Sequence, residues 1–140
     1  MKRILVGVDG SEAAGKAARL AADIALRFGS KLTLVYVVPR MLLPPDAYGL
    51  TIAEVEKEHR AYAEKLLNEA VLKLEEPGLS VDTSVMYGAP AESIAEAASA
   101  PDVDLVVVGS RGRGAVARMF LGSVCDRMVH ISPKPVLVSH

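Results

Sequence analysis

Three short stretches hold residues whose types and spacing suit phosphate chemistry. The first is Gly7-Val8-Asp9-Gly10-Ser11. Asp9 stands where an apolar run stops. A carboxylate there suits a ribose hydroxyl, or a metal ion that travels with phosphate. The plainer alternative is that Asp9 shapes the turn and the helix start behind it, and position alone leaves both open. The second stretch is Val108-Gly109-Ser110-Arg111-Gly112-Arg113-Gly114. Its closely spaced glycines permit positive φ and close backbone approach, so successive N–H groups can form a concavity for an anion. Arg111 and Arg113 add charge that suits phosphate. The alternative is a surface loop with solvated arginines. The third is Gly122-Ser123-Val124, where the N–H groups and dipole of a starting helix attract an anion. Taken alone, Ser123 reads only as a helix N-cap.

Neither of the two common phosphate fingerprints is present. The spacing Gly-x-x-x-x-Gly-Lys-Ser/Thr is absent, and the glycines run in the order G-x-x-G-x-G after a late strand rather than the first. Other reactive side chains carry less. His59 falls on the apolar stripe of a helix and reads as a packed or boundary residue. His130 and His140 have no partner at metal-ligand spacing. Cys125 reads as a small core residue, and Met41, Met86, Met119 and Met128 read as packing. No Ser/His/Asp order or carboxylate pair can be argued from spacing, so no catalytic residue is assigned.

The elements that position these stretches can be read from periodicity. Apolar runs occur at residues 4–8, 32–38, 81–87, 105–108 and 136–138. The first, second and fourth show little alternation, as strands buried on both faces do. The third alternates and belongs nearer an edge. Between them lie helical patterns. Ala14, Ala17, Ala18, Ala21, Ala25 and Phe28 form one stripe, with Ser11 to cap it and Gly29 to close it. Ile52, Val55, His59, Tyr62, Leu66, Ala70 and Leu74 form a second. Thr51 with Glu54 makes a capping box for it, and Pro77-Gly78 ends it. A third helix opens near Pro90 and carries Ile94, Ala97 and Ala98. A fourth follows Gly122-Ser123, with Val124, Met128 and Ile131 on one side. Residues 39–50, with three prolines and a glycine, read as a long loop. Strands alternating with helices predict an α/β fold: an open parallel sheet with helices on both faces.

The chain's composition sets the outer bounds. Its 140 residues suit one domain over 1–140. Sixteen Lys and Arg against 17 Asp and Glu give a formal charge of −1, which offers nothing to drive general nucleic-acid binding. The apolar runs fall far short of the roughly 20 residues that span a membrane. A single cysteine allows no intrachain disulfide, which fits a reducing compartment. A cytoplasmic location is expected.

Read as one pattern, Gly109-x-x-Gly112, nine residues, then Gly122-Ser123 is G-x2-G-x9-G-S. This resembles the ATP-binding signature of the universal stress protein family. The opening Ile4-Leu5-Val6-Gly7-Val8-Asp9-Gly10-Ser11, the strand at 32–38 and the closing Pro133-Lys134-Pro135-Val136-Leu137-Val138 are also similar to that family, so the resemblance covers the whole chain. It implies five parallel strands in the order 3-2-1-4-5, with a switch point between the first and fourth strands, where ligands bind in such sheets. It implies ATP, or AMP or ADP, as the ligand, with Mg2+ or Mn2+ accompanying the nucleotide and Asp9 as the metal's carboxylate. By resemblance the Val37 backbone recognises adenine, Gly7 and Val8 line the base, and Asp9 takes the ribose side. Val108, Gly109, Ser110, Arg111, Gly112 and Arg113 surround the phosphates, and Gly122, Ser123 and Val124 complete the cradle. The expected role is a stress-response regulator or sensor. The alternatives are a slow ATP hydrolase, with at most weak ATPase or autophosphorylation activity, and an interaction module that binds no nucleotide. Ser110 and Ser123 are positional candidates for phosphorylation. In that strand order residues 136–138 form an exposed apolar edge, which predicts a homodimer paired through Val136, Leu137 and Val138.

Overall fold

The computed structural model describes residues 1–40, 52–111 and 122–140. Strand β1 (Arg3–Gly7) leads into α1 (Glu12–Phe28), then β2 (Lys31–Val38), α2 (Ile52–Leu74), β3 (Ser80–Tyr87), α3 (Pro90–Ala98), β4 (Val103–Gly109), α4 (Ser123–Ile131) and β5 (Val136–Ser139). The strands form a parallel sheet in the order β3-β2-β1-β4-β5. That is the expected fold, and it puts β1 and β4 side by side.

The sheet divides two apolar cores. On one face, Ile4, Val6, Leu32, Leu34 and Val107 pack under the alanine stripe of α1 and under Leu67 and Leu74 of α2. On the other, Leu5, Val35, Val106 and Val108 pack under Ala91, Ile94 and Ala98 of α3 and Cys125 and Met128 of α4. The alanines of α1 have no bulk to hold the helix away, so its axis lies close to the central strands. Burial of β1, β2 and β4 on both faces explains their unbroken apolar runs, and β3 alternates because it is an edge strand.

Local signals set most helix ends. The Ser11 hydroxyl accepts from the Ala14 N–H at 3.1 Å, and Gly29 closes α1 at φ 64°, a left-handed conformation that suits glycine. Three expectations change. Phe28 is 62% exposed, because the last turn of α1 overhangs the amino-terminal edge of the sheet, where Lys31 already pairs with Arg3. In α2 Leu74 is buried and Leu66 and Ala70 pack against the core as expected, but Ile52 and Tyr62 are exposed, and the face is completed by Ala63 and Leu67. Tyr62 sits at its margin, its ring edge-on to Tyr36 at 6.2 Å between centroids. His59 is a boundary residue, as read. Finally, the N-cap of α4 is Gly122, and Ser123 is the first helical residue, exposed and without a capping bond. The capping role of Thr51, most of the loop at 39–50, and Met41 and Met119 lie outside the described residues.

The amino-terminal edge of the sheet is held by Arg3. Its guanidinium donates to Asp102 at 2.8 Å, to the Thr33 hydroxyl at 2.6 Å and to Asp82 at 3.2 Å. One side chain on β1 thus spans toward β2, β3 and the approach to β4. The opposite edge, where the strands end, is left for the glycine-rich turns.

Candidate functional site

The carboxyl ends of β1 and β4 lie together, and the order of the sheet reverses between them. Beyond Gly7, the Val8 N–H donates to the Val35 carbonyl at 2.9 Å, and the chain then leaves the sheet through Asp9 and Gly10, the latter at φ 84°. Asp9 Oδ1 accepts from the Ser11 N–H at 2.9 Å. So Asp9 does shape the turn and the start of α1, and its half-buried carboxylate also stands at the switch point. That turn bond engages Oδ1.

Val37 faces the same crevice through its main chain. Strand rungs alternate sides. The Val35 carbonyl points toward β1, and the Val38 carbonyl accepts from Gly88 on the β3 side at 2.9 Å. Val37, two residues past Val35, therefore directs its N–H and C=O toward β1, beyond the point where β1 has turned away. Its side chain is half-buried on the α3 and α4 face, beside Met86.

The glycines here permit close approach. A Cβ on Gly7 would stand 2.9 Å from Ile94 Cδ1, so this glycine is filled over by α3. A Cβ on Gly109 would stand 2.9 Å from the Ala13 carbonyl carbon and oxygen, so the first turn of α1 rests directly on the end of β4. Val108 is buried beneath. Ser110 then joins three elements. Its N–H donates to the Ser139 carbonyl of β5 at 2.7 Å, and its carbonyl accepts from the N–H of Gly122, the N-cap of α4, at 2.6 Å. The amino-terminal ends of α1 and α4 are thereby both held at Gly109-Ser110. Arg111, half-buried, follows directly, and Val124 is half-buried in the first turn of α4.

The fold thus gathers Gly7, Val8, Asp9, Val37, Val108, Gly109, Ser110, Arg111, Gly122, Ser123 and Val124 at one end of the sheet. Gly112, Arg113 and Gly114 lie outside the described residues. Ser110 is 3% exposed, which removes it as a surface for phosphorylation, whereas Ser123 is exposed. Among the described residues no three His, Cys, Asp or Glu side chains gather to hold a metal, so Asp9 offers a single carboxylate. Burial raises the Cys125 thiol above its ordinary pKa, with Asp126 adding to the effect, as befits a packed residue rather than a nucleophile. A separate cleft of about 370 Å³ opens at the ends of β2 and β3 against α2, lined among the described residues by Val38, Arg40, His59 and Tyr87. Ala13, Ile94 and Ser139 were not legible as site neighbours. Each contributes by contact across the sheet, which spacing along the chain does not reveal.

No helix among the described residues is long and apolar enough to cross a membrane. Comparison with known proteins is consistent over the full length. The sequence model of the universal stress protein family matches residues 1–140. A universal stress protein of Methanocaldococcus jannaschii is 34% identical, over 98% of this chain and 81% of that one. A universal stress protein of Thermus aquaticus is 37% identical, over 98% of this chain and 97% of that one. Among solved structures, the universal stress protein UspA from Lactobacillus plantarum superposes with a TM-score of 0.87 at 29% identity, covering 99% of this chain and 97% of that one. The universal stress protein from Archaeoglobus fulgidus, solved in complex with dAMP, shares the fold at a TM-score of 0.76 and 22% identity, covering 100% of this chain and 98% of that one. The chain belongs to the universal stress protein family.

Proposed function

We propose that this protein binds an adenine nucleotide, ATP or its ADP and AMP relatives, at the carboxyl ends of β1, β2 and β4, and acts as a stress-response regulator or sensor. The observation that carries the reading is the junction at Gly109-Ser110. It holds the amino-terminal ends of two helices, α1 and α4, with half-buried Arg111 following directly. Helix N-termini present N–H groups and positive dipole ends, so such a junction favours a phosphate chain. The dAMP held by the Archaeoglobus fulgidus protein makes an adenine nucleotide the first ligand to test.

In this reading Val37 meets the adenine edge with its main-chain N–H and C=O, and Val8 and Gly7 stand beneath the base. Asp9 takes the ribose hydroxyls with the oxygen not used by Ser11. Gly109 through Arg113 and Gly122 through Val124 enclose the phosphates. A Mg2+ or Mn2+ ion would share the phosphate charge, and Asp9 fits it as one carboxylate ligand, a sparse coordination that suits Mg2+ held mainly by phosphate and water. The chain's residues bind and orient, and none is assigned to bond cleavage. The location is taken as the cytoplasm.

The protein is also read as a homodimer. Strand β5 is a sheet edge with Val136, Leu137 and Val138 half-buried, and a two-fold axis would pair it antiparallel with its copy. Mass spectrometry of ligand released on denaturing the purified protein tests the nucleotide reading. Release of ATP, ADP or AMP supports it. Protein that releases none, and takes up none when supplied with ATP, overturns it.

A further inference from the structure

We propose that Ser139 is a positioning residue for the phosphate end of the nucleotide site, acting through its main-chain carbonyl on Ser110. The inference rests on the nucleotide reading above. Ser110 and Ser139 are both buried, and the 2.7 Å bond between them is the last rung joining β4 to β5. The same Ser110 accepts from Gly122 at 2.6 Å. A chain of two hydrogen bonds therefore runs from β5, through Ser110, to the N-cap of α4. The N–H groups of that helix start are where the phosphates would rest. If the Ser139 carbonyl is taken away, the Ser110 N–H loses its acceptor, and the Ser110 carbonyl that holds the α4 amino terminus is no longer fixed.

The adenine and ribose ends hang on other elements. Val37 belongs to β2 and Asp9 to the turn after β1, and neither is hydrogen-bonded to Ser139. Ser139 thus separates the two ends of the ligand: it orders the phosphate end alone. The free edge of β5 is also spared. Pro135 and Ser139 direct their carbonyls toward β4, to Val106 and Ser110, so by alternation the outward rungs belong to Val136 and Val138.

The test compares two shortened chains with the 140-residue protein. A chain ending at Ser139 keeps a main-chain oxygen for Ser110, and one ending at Val138 does not; both carry a terminal carboxylate close by. Each is titrated calorimetrically with ATP and with adenosine. The expected result is wild-type affinity for both ligands in the chain ending at Ser139. In the chain ending at Val138, ATP affinity falls roughly tenfold, and adenosine affinity is unchanged. Equal ATP affinity in the two shortened chains, or equal losses for ATP and adenosine, overturns the inference while leaving the nucleotide reading intact. A 140-residue protein that binds neither ligand overturns both. Should the chain ending at Val138 not fold, amide resonances of the intact protein decide: ATP, and not adenosine, must shift Ser110 and His140. Resonances that stay in place at ATP saturation, or move equally with adenosine, overturn the inference.

Discussion

Gly109 and Ala13 are in main-chain contact distance: a Cβ on Gly109 would lie 2.9 Å from the Ala13 carbonyl carbon and oxygen. A flexible side chain can swing aside, but a helix main chain cannot. The glycine is therefore what lets the first turn of α1 rest on the end of β4. The same contact brings the amino terminus of α1 to the switch point of the sheet.

Gly109→Ala is expected to destabilise the protein by about 1–3 kcal/mol, the usual cost of forcing a methyl group into a filled space. ATP affinity falls with it, since α1 must withdraw. A urea titration checks the first and calorimetry the second. An unchanged urea midpoint would contradict the packing account.

Substitutions at Asp9 separate its two roles. Asn retains an oxygen for the Ser11 N–H, so Asp9→Asn is expected to keep the thermal midpoint while weakening ATP binding. Asp9→Ala loses the turn bond as well, and about 0.5–1.5 kcal/mol of stability follows. If both variants bind ATP like the parent, Asp9 serves the turn alone.

The legibility of these features in the sequence follows from their range. Ser11 and Gly29 were readable because a cap and a left-handed closure are local events. The two-sided burial of β1, β2 and β4 was readable from unbroken apolar runs. The carboxyl-terminal half of the α2 stripe, Leu66, Ala70 and Leu74, packs as read, but its first half does not, because α2 is rich in charged residues and few apolar positions define its stripe there. Small Ala63, which lets the helix approach, gives no stronger signal than any other alanine. For α4, Gly122 and Ser123 are both acceptable caps by type; the extended backbone of Gly122, whose carbonyl accepts from the Asp126 N–H at 2.9 Å, makes it the N-cap. The order of the strands, and with it the meeting of Asp9, Gly109 and Ser139, is not contained in periodicity. The family resemblance implies it, and the structure shows it.

Acid sensitivity is expected at the other edge of the sheet. The hydrogen bond from Arg3 holds the Asp102 carboxyl below its ordinary pKa of 3.8, outweighing the smaller opposing effect of desolvation. A folded-state pKa below the unfolded one contributes stability above the unfolded value, and that contribution is lost as pH falls from there through the lower folded value. Asp102→Asn should therefore lower the urea midpoint at pH 7, with the difference from the parent shrinking as pH falls below that ordinary value. A difference that stays constant across that range would rule out the ion pair as its cause.

The dimer prediction is sharpened by the direction of the β5 rungs. Leu137, like Pro135 and Ser139, faces β4, so Leu137→Pro breaks the sheet within one protomer. Val138→Pro removes an outward N–H instead and is expected to yield folded monomer. Light scattering should report a dimer for the parent protein and half that mass for Val138→Pro. A parent protein that is monomeric at tens of micromolar, roughly where a modest interface holds, contradicts the paired edge.

The central claim is that the junction of β1, β4 and the α4 amino terminus holds an adenine nucleotide. Calorimetric titration of ATP into protein freed of bound ligand tests it most directly. The account predicts saturable binding at one nucleotide per chain, lost in Gly112→Val because a branched side chain blocks backbone approach to the phosphates. Absence of saturable binding by the parent protein, or binding by Gly112→Val at the parent's affinity, would contradict it.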